Sequence, residues 1–291
     1  MKQLFALISI ITFSATAQIK GIVKDSLTGK PIPYVNIWVQ NLNSSSTSQE
    51  DGTFEININE KSKNLIFNAI GFEKKSVATG NAKIVLLKPV EYQLDEVVIV
   101  KRFGTKQIEI GKTDSQIYQS VDNGPRIDVK YFPYFPRYKK TKYLKKVTIF
   151  ADNRVENATI KLHFYTVDSR GFPSEEMLNK NLIVTLKKGT ANNVFDLTDF
   201  NLKMPKTGLF VGFEKLFIEK NKLEQLIVDK NTNTTKVKIS YFPFVLYNYV
   251  ERDFIFTYSG GEWNKQINKD NSSNASKILV YEPAINLILT N

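Results

Sequence analysis

The sequence predicts an all-β protein made of two successive β-sandwiches. In both halves of the chain, apolar residues recur at every second position, which is the period of a strand with one buried face: Val35, Ile37 and Val39; Phe54, Ile56 and Ile58; Ile160, Leu162 and Phe164; Phe254, Phe256 and Tyr258. Turn-forming clusters at 25–31 and 259–262 separate these runs. Only residues 174–178, after Pro173, are typical of a helical turn, and residues 213–230 fit either a strand or a helix.

The composition limits the chemistry that the chain can perform. Its 291 residues include no cysteine and a single histidine, His163, which excludes a disulfide framework, a cysteine nucleophile and a multi-histidine zinc site. Lys and Arg number 40 against 29 Asp and Glu, so the formal net charge is +11. Hydrophobic residues make up 42% of the chain, which is enough to bury one large core or two ordinary ones.

Residues 1–17 are predicted to be a signal peptide. Lys2 precedes an apolar run at 4–13, and Ala15-Thr16-Ala17 fits the small-residue rule for cleavage, so the mature chain is expected to begin at Gln18. A signal anchor is the alternative, but the run is shorter than the roughly 20 residues that span a bilayer, and no later segment is long enough. Because export without cysteine is ordinary for bacterial envelope proteins, we expect a periplasmic or outer-membrane-associated protein with no transmembrane segment after cleavage.

Residues 18–90 are predicted to form the first sandwich, with about seven short strands, and spaced motifs run through them. These are Gly21-x-Val23-x-Asp25-x-x-Thr28-Gly29-x-Pro31-Ile32-Pro33-x-Val35, Asp51-Gly52-Thr53-Phe54, Gly71-Phe72 and Leu94-Asp95-Glu96-Val97-Val98-Ile99. Together they resemble the carboxypeptidase-like regulatory domain. The resemblance implies an Ig-like or prealbumin-like sandwich, as in Bacteroidetes envelope proteins and at the N-terminus of SusC-type TonB-dependent receptors. Ser48-Gln49 replaces the family's usual Thr-Asp, so one side-chain hydrogen bond should be lost while the fold is kept.

Residues 91–125 are predicted to be a connector with one apolar run, Val97, Val98, Ile99 and Val100. In SusC-type receptors a similar stretch leads into the TonB-contacting segment, so a partner strand is one interpretation here. A final strand or an ordinary linker is the favoured alternative. The residues that follow are too few for a receptor barrel, so the chain is not expected to be a TonB-dependent receptor.

Residues 126–291 are predicted to form a larger, jelly-roll-like β-sandwich of about eight to ten strands. His163 falls on the polar side of an alternating strand and is expected to be a hydrogen-bonded surface imidazole. The chain lacks the His-x-x-Glu pattern of zinc carboxypeptidases and the Gly-x-Ser-x-Gly elbow of hydrolases. We therefore expect no catalytic residue, metal or cofactor. A glycosidase needs only two carboxylates, and the candidates for such a pair are Glu156, Asp168, Glu175 and Glu214.

The most suggestive segment for binding is aromatic and basic at once. It covers 131–143, and part of it recurs at 241–249. Edge strands whose prolines block pairing are the favoured interpretation, followed by flat faces for sugar rings and then by a nucleic-acid surface. A nucleic-acid partner is not expected, because an exported protein is separated from nucleic acid and because the basic residues are scattered over the whole chain. The candidate ligand-binding residues are Tyr131, Tyr134, Arg137, Tyr138, Lys140, Tyr241 and Tyr247.

These observations predict an exported, non-enzymatic binding or scaffolding protein of the cell envelope that engages a glycan or an outer-membrane protein. Two alternatives stay open. One is an accessory component of a TonB-linked uptake system, which would use the 97–100 run as a partner strand. The other is a divergent carboxylate-dependent glycoside hydrolase, which would need two carboxylates converging in a cleft, at least one with a raised pKa.

Overall fold

The computed structural model describes residues 17–42, 44–58, 64–90, 104–112, 117–120, 124–229, 234–267 and 277–291. Regular structure in these ranges is β-strand with four short 3-10 helices, which confirms the all-β prediction. None of the helices in the described part of the chain is long and apolar enough to cross a membrane.

The N-terminal sandwich has the seven strands that the sequence predicts. They are β1 Ala17–Asp25, β2 Asn36–Val39, β3 Ser45–Thr47, β4 Thr53–Ile58, β5 Asn64–Asn68, β6 Lys75–Ala78 and β7 Ile84–Leu87. Sheet A has the order β4-β1-β7, and sheet B has the order β3-β2-β5-β6. β1 pairs with β4 antiparallel and with β7 parallel.

The alternating pattern of β4 gives this sandwich its core. Phe54, Ile56 and Ile58 are buried, while the residues between them are exposed. They pack with apolar residues from both sheets, among them Val23, Val35, Ile37, Leu65, Phe67, Val85 and Leu87. Gly21 allows the close packing of β1, because a Cβ there would lie 2.2 Å from the Ala82 carbonyl oxygen.

The C-terminal sandwich is larger than predicted, with fourteen described strands in two sheets. They are β8 Gln107–Ile110, β9 Ile117–Ser120, β10 Ile127–Phe132, β11 Tyr143–Asn153, β12 Thr159–Val167, β13 Pro173–Glu176, β14 Leu182–Thr185, β15 Gly189–Asp196, β16 Leu209–Lys215, β19 Phe244–Arg252, β20 Ile255–Ser259, β21 Glu262–Gln266, β22 Ile278–Pro283 and β23 Ile285–Thr290. A further pair, β17 Lys222–Asp229 and β18 Thr234–Tyr241, forms a separate two-stranded hairpin.

The two large sheets have different strand orders. Sheet C runs β13-β12-β16-β10-β20-β21, with β14 also on β12. Sheet D runs β22-β19-β11-β23-β8, with β15 on β11 and β9 on β19. Strands β8 and β9 come from the stretch predicted as a connector, and they pair with β23 and β19. The second sandwich therefore draws strands from both sides of the predicted boundary at residue 126.

The helical turn predicted at 174–178 is wrong. Pro173–Glu176 is strand β13, which pairs with β12. The pairing of Tyr165 with Glu176 places the Glu176 carboxylate beside the His163 side chain. Pairing with the long strand β12 thus outweighs the local preference of Ser174, Glu175 and Glu176 for a helical turn.

The two faces of β12 and β16 differ in character. Ile160, Leu162 and Phe164 point into the apolar core between sheets C and D, where Val211 and Phe213 of β16 join them. The alternate residues Lys161, His163 and Glu214 lie on the opposite face of sheet C, yet all three are buried. Something must cover that face.

The N-terminal sandwich covers it. Trp38 and Ile66 pack into an apolar cluster on sheet C formed by Ile127, Val129, Phe210, Phe256 and Tyr258. The Trp38 ring meets the Tyr258 ring edge-on, with centroids 5.8 Å apart. Lys161 Nζ donates to the Tyr34 carbonyl oxygen across the interface at 2.7 Å. The two sandwiches therefore share an interior with apolar and polar parts.

The Ser48-Gln49 departure lies at this interface. Ser48 Oγ accepts from Val35 N at 2.8 Å and donates to the Ile32 carbonyl oxygen at 2.9 Å, so it stabilises the N-terminal sandwich. Gln49 Oε1 accepts from Glu219 N of the C-terminal sandwich at 3.1 Å. The residue that replaces the family's usual Asp thus supplies a contact between the sandwiches.

Candidate functional site

A cleft opens in the C-terminal sandwich where β10 and β20 part. β10 pairs with β16 from Ile127 to Phe132, but with β20 only from Ile127 to Val129. Beyond that point, residues 130–133 and 252–255 line a cavity of about 580 Å³. This volume is within the range of about 300 to 1,000 Å³ that is typical of small-molecule sites. The strand divergence therefore creates a site of ligand size.

The charged part of the cleft lining is a triad of buried Lys130, buried Glu282 and partly exposed Arg252. The Arg252 guanidinium binds both carboxylate oxygens of Glu282, at 2.6 and 2.8 Å, and Lys130 Nζ lies 3.1 Å from Glu282 Oε1. Lys130 also donates to the Gly111 carbonyl oxygen. Burial lowers the pKa of Lys130, although the Glu282 carboxylate opposes this effect. Two cations share one carboxylate, so the triad forms a polar wall with a net positive charge.

Aromatic rings make up another part of the lining. Phe135 is 44% exposed, and the Arg137 guanidinium lies 5.2 Å from its ring centroid. Tyr131 and Phe254 pack together with ring centroids 5.6 Å apart, and both line the cleft. Lys112 and Asp253 add one positive and one negative side chain to the lining. The site thus offers flat apolar faces together with hydrogen-bonding groups of both kinds.

The structure separates the predicted ligand-binding residues into three groups. Tyr131, Arg137 and Tyr138 line the cleft. Tyr134 packs edge-on against Tyr138, with centroids 6.2 Å apart, and Lys140 is exposed at the end of the 3-10 helix Pro136–Lys140. Tyr241 and Tyr247 are outside the cleft lining.

The positions of these last two residues show why the second aromatic segment is not part of one patch. Tyr241 is paired with Lys222 at the base of the hairpin and packs on Phe217, with centroids 5.1 Å apart. Tyr247 is buried, and its hydroxyl donates to Asp128 Oδ2 at 2.6 Å. Tyr247 is therefore a core residue, and its assignment to an exposed patch is wrong.

Sequence reasoning missed much of the cleft. Lys130, Arg252, Phe254 and Glu282 line it, but only the alternation of Phe254 was noticed, and that alternation indicated a strand. The predicted partner strand at Val97, Val98, Ile99 and Val100 lies outside the described residues and stays a prediction.

A second charged cluster lies on sheet C beneath the N-terminal sandwich, centred on His163. Its Nδ1 lies 2.8 Å from Glu176 Oε2, and its Nε2 lies 3.1 Å from Glu214 Oε2. Lys161 Nζ is 3.2 Å from the same Glu214 oxygen. The Tyr165 ring stacks on the imidazole, with centroids 5.4 Å apart. His163 is 4% exposed, so its assignment to the surface is wrong, whereas its hydrogen bonds are as expected.

The geometry indicates that His163 is an imidazolium. Each ring nitrogen faces a carboxylate oxygen, and both can donate only if both carry a proton. Burial by itself would lower the pKa of His163, but the hydrogen bonds to Glu176 and Glu214 outweigh burial and raise it above 6.5. Burial likewise favours a higher pKa for Glu214, but Lys161 and His163 bring it below its ordinary value.

The carboxylates considered for a glycosidase do not converge in the cleft. Glu214 is buried in the His163 cluster, and its pKa is lowered rather than raised. Glu156 forms an exposed ion pair with Lys188 at 3.0 Å, and Asp168 accepts from Arg170 in a turn. None of the four candidates, Glu175 included, lines the cleft. Within the described residues, no group of three or more His, Asp or Glu side chains has a metal-binding arrangement.

Comparison with known proteins identifies the N-terminal sandwich. Residues 19–99 match the family model of the CarboxypepD_reg-like domain, as the sequence motifs indicated. No curated protein matches the chain. The chain therefore contains a carboxypeptidase regulatory-like β-sandwich, followed by a C-terminal sandwich that carries the cleft.

Proposed function

We propose that this chain is an exported, non-enzymatic binding protein of the cell envelope, and that its cleft takes a glycan. The observation that carries the proposal is the lining: the cavity of about 580 Å³ is lined both by aromatic rings, among them the exposed Phe135, and by charged groups. Sugar rings present apolar C–H faces and polar hydroxyl edges, so they need both kinds of surface.

The roles of individual residues follow from their positions. The Phe135 ring is the most exposed aromatic face in the lining, and it would stack on a sugar. Arg137 packs over Phe135, and its only polar contact among the described residues is a weak one to the Tyr138 hydroxyl at 3.5 Å. Its guanidinium is therefore available for hydroxyl or carboxylate oxygens of a ligand.

Three acids line the cleft, Glu109, Asp253 and Glu282, and the ion pairs made by Glu282 favour binding over hydrolysis. Glu282 lines the cleft, but both of its oxygens are engaged by Arg252 and one also by Lys130. A general acid must reach the glycosidic oxygen of a bound sugar, whereas Arg252 and Lys130 hold the oxygens of Glu282.

The test begins with the mature chain on an array of neutral and acidic oligosaccharides, followed by calorimetry with the best-bound sugar. We expect Phe135→Ala and Arg137→Ala each to weaken binding about tenfold, which corresponds to about 1.4 kcal/mol. Tyr281→Ala is the matched control, because Tyr281 is an equally exposed aromatic residue, 49%, that does not line the cleft. Failure to bind any sugar on the array, or equal losses in all three variants, would contradict the proposal.

A further inference from the structure

The hairpin formed by β17 and β18 projects from the C-terminal sandwich as a two-stranded ribbon. Its strands pair with each other and with no other strand in the described part of the chain. Residues 224–228 and 234–239 are all exposed. Isolated hairpins are marginally stable in water, so a ribbon that exposes both faces is expected to have a partner surface.

The register of the ribbon divides its side chains into two faces. Residues directly opposite each other in an antiparallel pair point to the same side. Leu226 faces Val237, and the next pairs on that side bring in Val228 and Ile239. These four aliphatic side chains are 74%, 58%, 58% and 49% exposed in the order Leu226, Val237, Val228 and Ile239. We call these four residues the aliphatic face.

The opposite face is polar and basic. Ile227 faces Lys236, and Gln225 faces Lys238. On the aliphatic side, the one carboxylate between the base and the tip is Glu224, which is paired with Lys222 at 2.8 Å. The ribbon is therefore amphipathic. One side has the aliphatic face and the Lys222–Glu224 ion pair, and the register places Lys236, Lys238 and Asp229 on the other side.

We propose that this ribbon docks the protein on an anionic phospholipid bilayer. An amphipathic element lies in the membrane interface when its apolar face enters the acyl boundary and its lysines remain at the level of the headgroups. The hairpin meets both conditions, and the net charge of +11 for the chain favours a negatively charged surface. This proposal is independent of the glycan site, since none of the hairpin residues lines the cleft.

A second copy of the chain fits the ribbon less well. A stable dimer buries about 800 Å² on each partner, and four aliphatic side chains on a ribbon two strands wide provide far less surface. A lipid interface needs no complementary shape, so a small apolar face with basic neighbours is sufficient.

Flotation with lipid vesicles tests the proposal on the full mature chain. We expect the protein to float with vesicles of equal phosphatidylglycerol and phosphatidylcholine, and to float poorly with phosphatidylcholine alone. The double variant Leu226→Ser/Val237→Ser should bind the anionic vesicles about tenfold less, because two exposed aliphatic side chains no longer enter the bilayer. The double variant Lys236→Glu/Lys238→Glu should also bind the anionic vesicles about tenfold less. Raising the salt concentration should weaken vesicle binding by the wild type.

Ile227→Ser is the matched control, because Ile227 is an exposed aliphatic residue, 45%, on the basic face of the same ribbon. It should bind like the wild type. All substituted positions are exposed, so far-UV circular dichroism should not change. The proposal is overturned if the wild type does not float with the anionic vesicles, or if Ile227→Ser loses as much vesicle binding as Leu226→Ser/Val237→Ser. It is also overturned if light scattering shows a concentration-dependent dimer that forms through the aliphatic face.

Discussion

Replacing Lys161 by methionine should lower the free energy of unfolding by about 3 to 5 kcal/mol. Methionine keeps the length of the side chain but removes the ammonium group that lies 3.2 Å from Glu214 and donates to the Tyr34 carbonyl oxygen. Glu214 is 3% exposed, so water cannot replace the lost charge. The loss is large because one partner of a buried ion pair is left behind and an acceptor in the other sandwich loses its donor.

Denaturant unfolding followed by circular dichroism measures this change, and Lys188→Met is the control. Lys188 makes an ion pair of the same kind with Glu156 at 3.0 Å, but the two side chains are 56% and 70% exposed. Such surface pairs contribute little, so this variant should lose less than about 1 kcal/mol. If Lys161→Met and Lys188→Met lower the free energy of unfolding by similar amounts, the His163 cluster is open to water.

Replacing Trp38 by alanine should destabilise the protein by about 3 to 5 kcal/mol and weaken the contact between the sandwiches. Trp38 is 1% exposed, and its ring fills the centre of the apolar cluster against Tyr258. The chain has only two tryptophans, and Trp263 packs on the same Tyr258 with centroids 5.2 Å apart. Tryptophan fluorescence therefore reports on this interface, and in the variant its transition should precede that of circular dichroism.

Trp38→Phe separates the loss of the ring from the loss of the indole N–H. Among the described residues, the buried Trp38 Nε1 has no hydrogen-bond partner, so removing this group costs no hydrogen bond. Phenylalanine keeps an aromatic ring in the cluster, and the variant should lose less than about 1.5 kcal/mol. If Trp38→Ala is as stable as the wild type, the sandwiches do not depend on this contact.

The sequence was a good guide to strands that have one buried face. Phe54, Ile56 and Ile58 predict β4 because the alternation is imposed by a single apolar core. The same reasoning failed for Lys161 and His163, which occupy the polar positions of an equally regular pattern. Their burial is decided by a second sandwich that packs on sheet C, and alternation within one strand contains no information about such a cover.

The candidate site could be predicted only in part, for a similar reason. Tyr131, Arg137 and Tyr138 are adjacent in sequence and reach the cleft together. Arg252, Glu282 and Lys130 come from three separate strands and meet only after folding, so no local motif marks them. The prediction that Tyr247 binds a ligand was wrong because its surroundings come from distant parts of the chain. Its ring belongs to the core, and its hydroxyl donates to Asp128, which is distant in sequence.

The division of roles between the two charged clusters is the basis of the proposed function. The cluster with the single histidine is buried at the junction of the sandwiches, whereas the cleft is the site that we propose for the ligand. If His163 were accessible and neutral, a reaction that uses it would become the better explanation. The protonation state of this one side chain therefore tests whether His163 is the structural imidazolium of the charged cluster.

The pKa of His163, measured by NMR on protein with 15N-labelled histidine, tests this most directly, because the chain has one histidine and one set of imidazole signals. A folded-state pKa raised above the unfolded value of 6.5 means that the stabilisation is complete below 6.5 and is lost as the pH rises through the folded-state pKa. We expect both ring nitrogens to be protonated at pH 6.5 and the titration to lie above it, with Glu214→Gln bringing the midpoint down. A titration at or below 6.5 in the wild type, with one nitrogen unprotonated at neutral pH, would contradict the imidazolium that pairs with Glu176 and Glu214.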